Sequence, residues 1–521
     1  MLVHRRWYGA KARTIQAVTV LDTVSVPRGS RRDHAYLVLV EVAYTDGEPD
    51  TFVLPLAFAE GDAADSVLRE IPAAPMLRLR PRGSSGPDGL VYDATYDSTF
   101  DSRLLSVIGQ RQKLKGRSGV LQGVTTGAFK ALRGGEDLVP TVARGEQSNT
   151  SVVYGDRLIL KVFRRASPGL NPDWELGRFL TGPAQFEHVP GMAGALTYTG
   201  EDGSQRTLAI LQELVTNEGD AWSYTLSQLG SYFEHLQQEF GEAADVVAAT
   251  RPPNTLSDLE IPDTARELFG AYLQQASLLG ERTAQMHLAL ASGTTDPELA
   301  PERFTPHYQR SIYQSSRNQF RQTLALLRRS RGRLEGSAAV DAEAVLAAED
   351  TLYAAIDPVK GERINAQRIR VHGDYHLGQV LFTGRDFVII DFEGEPATSL
   401  SQRRIKRSPL RDVAGMLRSF HYAAYTGLSE HVVQNNVHDE ADVMPVLVGG
   451  ARFWTSWVSA AFLTSYLAEA GDQLLPEGRQ ATEVLLRAFL LEKAAYEVSY
   501  ELNNRPDWVS VPLRGMLHLL E

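Results

Sequence analysis

The chain has 521 residues, of which 43% are hydrophobic, and this composition is sufficient for several folded cores. Its formal net charge of −11 argues against nucleic acid as a partner, because binding to a phosphate backbone needs a clustered positive surface. The absence of cysteine excludes disulfide bonds, thiolate zinc sites and cysteine nucleophiles.

The N-terminal segment MLVHRRWYGAKAR carries basic residues but no apolar run behind them. No stretch approaches the roughly 18 consecutive apolar residues of a membrane span. We therefore expect a cytoplasmic protein that does not have a membrane as a partner.

Short apolar runs fill the sequence from Ala17 to about Leu56 and are separated by turn-forming residues such as DGEP at 46–49. This pattern is typical of an antiparallel β-meander. The stretch PRGSSGPDG at 81–89 predicts a surface loop. We assign residues 1–112 to a strand-rich N-terminal module.

Strands resume in the segment 151–164, and NPDWELGRFL at 171–180 predicts a helix with Asn171 or Asp173 as its cap. The apolar run TLAILQEL at 207–214 predicts a further strand. The order strand, strand, helix, strand is that of a small nucleotide-binding lobe. We place this lobe at residues 113–213.

Lys161 lies within the apolar strand ILKVF, where a charge is costly unless it is paired or binds an anionic ligand. It fits the strand lysine that contacts nucleotide phosphates in kinases, with Glu175 on the next helix as its ion-pair partner. A lysine in a strand is also common at sheet edges and surfaces. Small polar side chains just before the first strand fit a segment that covers the phosphates, although they lack a glycine-rich signature: Ser148, Asn149 and Thr150.

The second half of the chain, 214–521, consists mainly of long amphipathic segments, which predict helices. Strand-like pieces interrupt it at 368–391 and surround two loops, HGDYHLGQ at 372–379 and IIDFEGE at 389–395. Protein kinases carry their catalytic Asp and their metal ligands in two loops of the same order and spacing.

Phosphoryl transfer needs a carboxylate that orients the attacking hydroxyl group and accepts its proton, and oxygen ligands that hold Mg²⁺ at the phosphates. Asp374 fits the role of the base. Gln379 and Asp391 stand where protein kinases carry the Asn of the catalytic loop and the Asp of DFG. The two loops therefore predict transfer of a phosphoryl group from Mg·ATP to a hydroxyl group.

Other interpretations of these loops remain open. His372 and His376 are four residues apart, as zinc ligands on a helix would be, but the flanking glycines favour a loop and no third ligand is evident. The acidic residues also fit a solvated hairpin. Asp412, about twenty residues after Asp391, fits either a helix N-cap or a brace for the catalytic loop.

Near the C-terminus, Lys493, Tyr496 and Tyr500 lie at positions i, i+3 and i+7 of a predicted helix and so share one face. Two aromatic rings and an ammonium group suit a sugar ring and its hydroxyl groups. Core packing is the other interpretation of this stripe.

Taken together, these motifs resemble the maltokinases, including the maltokinase domains fused to trehalose synthases. The resemblance extends from RRWYGAKAR near the N-terminus to PDWVSVPLRGMLHLL at the end. It implies an α+β, bilobal fold of the eukaryotic protein kinase and aminoglycoside phosphotransferase type, with a β-rich N-terminal cap and a mostly helical C-lobe. The implied reaction transfers phosphate from ATP to maltose and gives α-maltose 1-phosphate for glycogen synthesis.

The resemblance also implies roles for further residues. The adenine-facing hinge would be Gln212, Glu213, Leu214 and Val215. Glu393 would bind or position the metal. The sugar contacts would be His376, Lys493, Tyr496 and Tyr500.

Two alternatives to a maltose kinase stay open. One is a kinase for another sugar such as glucosamine. An acidic acceptor pocket would favour the amino sugar, whereas the aromatic, lysine-bearing face of the last helix favours a neutral disaccharide. The other is a non-catalytic binding module of a trehalose synthase complex. The resemblance to the maltokinases implies a trehalose synthase as a partner or fused domain.

Overall fold

The computed structural model describes residues 2–11, 13–28, 33–79, 89–143, 148–238, 260–361, 364–396, 398–435 and 443–521. The loop predicted at 81–89 lies outside these residues, except for Gly89. The chain divides into two compact units, which are described separately. The first comprises Met1–Gly182, Val189–Thr216 and Thr398–Gln402, and the second comprises Pro183–His188, Asn217–Ala397 and Arg403–Glu521.

The first unit begins with an antiparallel five-stranded sheet in the spatial order β1-β2-β3-β5-β4. Its strands are β1 (Ile15–Pro27), β2 (His34–Tyr44), β3 (Asp50–Glu60), β4 (Pro75–Leu79) and β5 (Gly89–Asp93). Helix α1 (Asp62–Glu70) connects β3 to β4, and helix α2 (Ser98–Gly109) follows β5. The predicted antiparallel meander is confirmed in β1, β2 and β3.

A seven-stranded antiparallel sheet follows, in the order β6-β7-β11-β12-β10-β9-β8. Its strands are β6 (Lys113–Lys115), β7 (Gly119–Thr125), β8 (Pro140–Val142), β9 (Asn149–Tyr154), β10 (Leu158–Phe163), β11 (Met192–Gly200) and β12 (Gln205–Glu213). Helices α3 (Phe129–Arg133) and α4 (Pro172–Thr181) lie between strands in the chain. The predicted series is confirmed, with β11 as an additional strand whose glycines and alanines weaken the β-pattern in its sequence, MAGALTYTG.

Helix α4 begins as its sequence predicts. The side chain of Asn171 accepts a hydrogen bond from the backbone N–H of Asp173 at 2.8 Å, and Pro172 occupies the first turn. Such an N-cap stabilises a helix by about 1 kcal/mol. It also fixes the acidic first turn of α4.

The two sheets of the first unit share one hydrophobic core. The first sheet contributes Leu37 and Leu39, the second contributes Leu160 and Val162, and α2 adds Leu104. Burial of each such side chain stabilises the fold by about 1.5–3 kcal/mol relative to exposure. The N-terminal strands are therefore packed directly on the sheet that carries Lys161.

Asp101 lies on α2 within this region and is 1% exposed. Its Oδ1 has no hydrogen-bond partner among the described residues. Burial and the neighbouring carboxylates of Asp93 and Asp97 raise the pKa of Asp101 to about 9. The carboxyl group is therefore protonated near neutral pH.

We expect Asp101→Asn to change how stability depends on pH. A raised folded-state pKa stabilises the fold below the unfolded pKa, and this contribution is lost as the pH rises through the folded value, at up to about 1.4 kcal/mol per pH unit. The amide does not titrate. Denaturant unfolding between about pH 5 and about pH 9 should show the wild type losing stability relative to the variant. Parallel profiles would contradict the raised pKa.

The second unit is mainly helical, as predicted. In chain order its helices are α5 (Ala221–Gln238), α6 (Asp263–Phe269), α7 (Tyr272–Ala291), α8 (Pro306–Ser330), α9 (Gly336–Ala347), α10 (Glu349–Ile356), α11 (Pro358–Gly361), α13 (Leu410–Asn435), α14 (Val443–Leu474), α15 (Arg479–Asn504) and α16 (Ser510–Leu520). The short helix α12 (Leu400–Arg403) begins in the segment Thr398–Gln402 of the first unit. The short antiparallel pairs are β13 (Glu302–Arg303) with β14 (Gln367–Arg368), and β15 (Val380–Phe382) with β16 (Phe387–Ile389). Single 3₁₀ turns are Leu2–His4, Ala94–Tyr96, Arg331–Arg333, Leu377–Gln379 and Pro506–Trp508.

One helix in the described part of the chain, α14, is long and apolar enough to cross a membrane by length and composition, with a mean hydropathy of 1.2 in the segment Met444–Leu474. In this structure 78% of the apolar window is buried. The helix packs on α7, where a Cβ on Gly280 would lie 2.2 Å from the carbonyl oxygen of Phe462. Close packing in a core accounts for its apolar sequence, so its hydropathy is weak support for a span.

Antiparallel sheets in the N-terminal part and helices in the C-terminal part make the fold α+β, as predicted. The two short pairs of strands in the second unit frame the loops that the sequence singles out. These loops follow β14 and β16.

Candidate active site

Asp412, in the first turn of α13, holds the loop that follows β14. Its Oδ2 accepts a hydrogen bond from the backbone N–H of His372 at 2.7 Å, and its Oδ1 accepts one from the backbone N–H of Gly373 at 3.0 Å. Oδ2 also lies 3.1 Å from Nε2 of His287, whose Nδ1 lies 3.0 Å from the hydroxyl group of Tyr466. Asp412 is therefore the predicted brace of the loop.

Asp412 is 2% exposed, and burial alone would raise the pKa of its carboxyl group. The hydrogen bond and charge of His287, the charge of His372 and the backbone N–H of Gly373 act in the other direction. They bring the pKa of Asp412 below its usual value. An ionised carboxylate makes stronger hydrogen bonds to backbone N–H groups than a neutral acceptor does, which fixes the loop.

His372 uses both ring nitrogens within the loops. Its Nε2 donates to the backbone oxygen of Ile390 at 2.9 Å, and its Nδ1 accepts from the backbone N–H of Asp374 at 3.4 Å. The Nδ1 of His376 accepts from the backbone N–H of Gly378 at 3.1 Å. The zinc interpretation is therefore wrong, because His372 has no lone pair available for a metal.

The two loops lie side by side. The backbone N–H of Ile390 donates to the carbonyl oxygen of Gln379 at 3.0 Å. A Cβ on Gly373 would lie 3.3 Å from the Cα of Gly394, and both glycines have a positive φ, of 85° and 74°. A larger residue at either position would strain the backbone and push the loops apart.

Asp391 follows β16 with a φ of 67°, in the left-handed region that few residues other than glycine adopt. One of its carboxylate oxygens lies within 4.8 Å of one from Glu393, and both side chains are partly exposed. Backbone strain of this kind is found preferentially at functional sites. Two carboxylates at this separation suit a hard divalent cation such as Mg²⁺.

Asp374 lies beside α15. The ammonium group of Lys493 is 4.0 Å from an oxygen of Asp374 and 4.0 Å from an oxygen of Glu395. The hydroxyl group of Tyr496 donates to Glu395 at 3.3 Å, and the ammonium group lies 5.1 Å from the centre of the Tyr496 ring. The second unit thus brings together three residues that sequence analysis assigns to catalysis and sugar binding, which are Asp374, Lys493 and Tyr496. We call these three residues and Glu395 the acceptor cluster.

Glu395 is the member of this cluster that sequence analysis does not single out. It stands within IIDFEGE, where the two preceding acidic residues account for the expected metal chemistry. Burial, and the charge and hydrogen bond of Glu395, raise the pKa of Tyr496. The phenol therefore remains a hydrogen-bond donor across the physiological range of pH.

His376 and Tyr500 lie at the margin of the acceptor cluster. The Nε2 of His376 is 4.0 Å from Oδ2 of Asp374. Desolvation, helped by the charges of His372 and Lys493, lowers the pKa of His376 although Asp374 acts to raise it. Tyr500 is 45% exposed, so core packing does not explain its place in the stripe.

In the first unit, Lys161 lies on β10 between Ser151 of β9 and Ile210 of β12. Its ammonium group is 3.5 Å from Oδ2 of Asp173, which is 1% exposed. Sequence analysis predicts Glu175 as the partner of Lys161, and Asp173, two positions earlier in the same helical turn, forms an ion pair with this lysine that the sequence does not single out. A role for Glu175 at the nucleotide stays a prediction.

Side-chain direction separates the residues that were predicted to cover the phosphates. Opposed residues of an antiparallel pair point to the same face, and successive residues alternate. Asn149 pairs with Phe163, two residues after Lys161, and therefore shares its face. Thr150 pairs with Val162, so its side chain points to the other face, and its contact with the nucleotide stays a prediction. Ser148, just before β9, is exposed.

The predicted hinge lies at the end of β12. The backbone N–H of Glu213 donates to the carbonyl oxygen of Gly191 at 2.8 Å, and its carboxylate accepts from the N–H of Gly191 at 3.1 Å. The N–H of Leu214 donates to the carbonyl oxygen of Arg157 at 2.8 Å. These bonds hold the segment within the first unit, and adenine contacts by Gln212 to Val215 stay a prediction.

Sequence comparison relates the chain to sugar kinases. Residues 2–97 match the family model of the maltokinase N-terminal cap domain. The chain is 25% identical over 388 residues to a glucosamine kinase from Streptacidiphilus jiangxiensis, with 72% of each chain covered. It is 24% identical over 388 residues to a glucosamine kinase from Mycolicibacterium smegmatis, with 73% of this chain and 80% of the relative covered.

Solved structures share the fold. A glucosamine kinase in complex with glucosamine, ADP and inorganic phosphate matches with a TM-score of 0.63 and 18% identity, over 100% of this chain and 96% of that one. A second crystal form of glucosamine kinase matches with a TM-score of 0.62, the same identity and the same coverage. At this identity the likeness establishes the kinase-like fold alone.

The fold is kinase-like, and the cap and the relatives show that the class of proteins to which the chain is similar is that of the sugar kinases. Within that class, the cap domain at residues 2–97 confirms the predicted resemblance to the maltokinase family.

Proposed function

We propose that the protein transfers the γ-phosphoryl group of ATP to maltose and forms α-maltose 1-phosphate for glycogen synthesis. The observation that carries this proposal is the acceptor cluster, in which a carboxylate in a braced loop lies beside an ammonium group and an aromatic ring on α15. An aromatic ring packs on the apolar face of a sugar ring, and the ammonium and phenol groups can donate hydrogen bonds to sugar oxygens. The maltokinase cap supports maltose as the sugar.

In the proposed reaction, Asp374 accepts the proton of the attacking sugar hydroxyl group. The hydroxyl oxygen forms a bond to the γ-phosphorus, and the bond from that phosphorus to the β–γ bridging oxygen breaks and releases ADP. Gln379, Asp391 and Glu393 would hold Mg²⁺, which when bound neutralises negative charge on the phosphates. Lys161, on the first unit, would contact a phosphate oxygen.

ATP-dependent sugar phosphorylation draws on the cytoplasmic nucleotide pool, and we place the protein in the cytoplasm. A trehalose synthase, as a partner or fused domain, would supply the maltose. Both statements rest on the resemblance to the maltokinases.

Glucosamine is the second candidate acceptor, because Glu395 places a carboxylate in the acceptor cluster. A carboxylate would pair with the ammonium group of an amino sugar. Two relatives of the chain are glucosamine kinases. In this protein, however, Lys493 already lies next to both Asp374 and Glu395, and a second cation there would be repelled.

A panel of acceptor sugars tests the choice between these candidates. Initial rates of ADP release with Mg·ATP should give the highest kcat/KM for maltose among maltose, glucose, glucosamine and trehalose. A higher kcat/KM for glucosamine than for maltose would identify glucosamine as the acceptor. Absence of ADP release with every sugar would favour the non-catalytic alternative.

We expect Lys493→Met to weaken sugar binding. Loss of a charged hydrogen-bond donor costs about 1.5–3 kcal/mol, which corresponds to a rise of about 10- to 100-fold in the KM for the sugar. The KM for ATP should stay within about twofold of the wild-type value, because the removed group belongs to the acceptor cluster.

Lys360→Met is the matched control. Lys360 also lies over a tyrosine ring, 4.4 Å from the centre of Tyr313, and forms an ion pair with Asp357 at 2.7 Å. It lies outside the acceptor cluster, so its loss should leave both KM values unchanged. An unchanged KM for the sugar in Lys493→Met would contradict a role of this lysine in sugar binding.

A further inference from the structure

The residues that follow β10 pair with the N-terminal cap. The backbone N–H of Val53 donates to the carbonyl oxygen of Arg164 at 2.9 Å, and the backbone N–H of Ala166 donates to the carbonyl oxygen of Thr51 at 2.9 Å. Phe52 and Arg165 form an antiparallel bridge between these bonds. The strand that carries Lys161 therefore runs directly onto β3 of the cap.

Arg164 is 1% exposed and uses its guanidinium group to join three segments. Its Nη2 donates to Asp93 at 2.7 Å and to the hydroxyl group of Thr95 at 3.1 Å, both at the end of the cap. Its Nε donates to the hydroxyl group of Thr150 at 2.8 Å. The ring of Trp7, near the N-terminus of the cap, lies 5.4 Å from the guanidinium carbon.

These contacts bear on the start of β9. Backbone pairing fixes the register of β9 on β10, but the end of a strand opens more readily than its middle. The bond from Arg164 is made at Thr150, the second residue of β9, and it comes from a cation that is itself paired with a buried carboxylate. A buried, charge-assisted network of this kind has one arrangement and resists displacement.

We infer that Arg164 is a positioning residue for the nucleotide, through which the cap holds Ser148 and Asn149 in place beside Lys161. The inference rests on the proposed function, in which these residues contact the phosphates of ATP. Arg164 would not contact the phosphates itself, because the hydroxyl group of Thr150 that it binds points to the face opposite Lys161. Its effect on the nucleotide would be indirect, through the position of β9. The cap is thereby part of the machinery that binds ATP.

Thr150→Val tests this inference, since valine keeps the shape of threonine and removes the acceptor for Arg164. We expect the Kd for Mg·ATP, measured by calorimetry, to rise about tenfold, as loss of a hydrogen bond to a charged group does. Thr150→Ser keeps the hydroxyl group and should bind Mg·ATP like the wild type. The KM for the sugar should change in neither variant.

Tyr198→Phe is the matched control for a general loosening of the cap. The hydroxyl group of Tyr198, on β11, donates to Asp22 of β1 at 2.7 Å and is a second buried bond between the cap and the larger sheet. Tyr198→Phe should lower the melting temperature about as much as Thr150→Val does and leave the Kd for Mg·ATP unchanged. The contrast separates positioning of the phosphate segment from stability alone.

Two results would overturn the inference alone. In one, the wild type binds Mg·ATP and Thr150→Val binds it with the same Kd. In the other, Tyr198→Phe weakens Mg·ATP binding by the same factor as Thr150→Val. Calorimetry of Mg·ATP needs no acceptor sugar, so the choice of maltose does not enter. A wild type that binds no Mg·ATP would overturn the proposed function together with the inference.

Discussion

Asp374→Asn should bind Mg·ATP and release almost no ADP in the presence of sugar. The asparagine side chain is the same size as the aspartate it replaces but cannot accept the proton of the attacking hydroxyl group. General-base catalysis contributes about 10²- to 10⁴-fold, and we expect kcat to fall by that factor. The measurement is kcat from ADP release together with the Kd for Mg·ATP from calorimetry.

Asp386→Asn is a control of the same chemical type. Asp386 lies in the turn between β15 and β16, the hairpin that connects the two loops in the chain, and pairs with Arg282 at 3.0 Å. It is partly exposed, so loss of this pair should cost no more than about 1 kcal/mol of stability and leave kcat near the wild-type value. Near-normal kcat in Asp374→Asn would contradict its role as the base.

Asp412→Asn should lower kcat through the catalytic loop without contacting the substrate. The amide group replaces one acceptor oxygen with a donor, so a buried backbone N–H of His372 or Gly373 loses its partner. An unsatisfied buried donor costs about 1–3 kcal/mol, and loss of the negative charge weakens the remaining bonds. We expect kcat to fall by at least about tenfold, with the KM for ATP less affected.

The pH dependence of stability gives an independent readout of Asp412. A lowered folded-state pKa contributes stability above the unfolded pKa, and this contribution is lost as the pH falls through the folded value. Stability of the wild type should therefore fall with acid more steeply than that of Asp412→Asn. Equal acid profiles, or unchanged kcat in the variant, would contradict the role of Asp412 as a brace.

Much of the second unit's site could be predicted from local sequence. The loops at 372–379 and 389–395 carry their glycines, carboxylates and spacing within short segments, and these features determine the chemistry that each loop can perform. The helix periodicity of Lys493 and Tyr496 likewise predicts a shared face. What the sequence leaves open is which loop that face contacts, since Asp374 and Lys493 are more than one hundred positions apart.

The partners of Lys161 and Thr150 illustrate a different limit. Asp173 and Glu175 both lie in the first turn of α4, and side-chain identity alone does not single out Asp173, whose carboxylate lies 3.5 Å from the ammonium group of Lys161. The direction of Thr150 depends on the register between β9 and β10. A shift of one residue would reverse it, and the alternation of polar residues near 148–151 is too weak to specify that register.

Strand β11 and helix α14 show how packing overrides composition. The glycines and alanines of β11 allow close approach of neighbouring elements, such as Ile108 of α2 at Gly194, and this need is visible only in the folded chain. Helix α14 is apolar because it is largely buried against other helices. In both segments the composition reflects tertiary contacts more than local propensity.

The most direct test of the account is a competition between acceptors in a single reaction. The wild-type protein is incubated with Mg·ATP and equal concentrations of maltose and glucosamine, and the products are followed by ³¹P NMR. We predict a sugar phosphate signal split by the anomeric proton of α-maltose 1-phosphate, growing in step with ADP. Phosphorylation of glucosamine alone, with maltose recovered unchanged, would contradict the assignment of maltose as the acceptor.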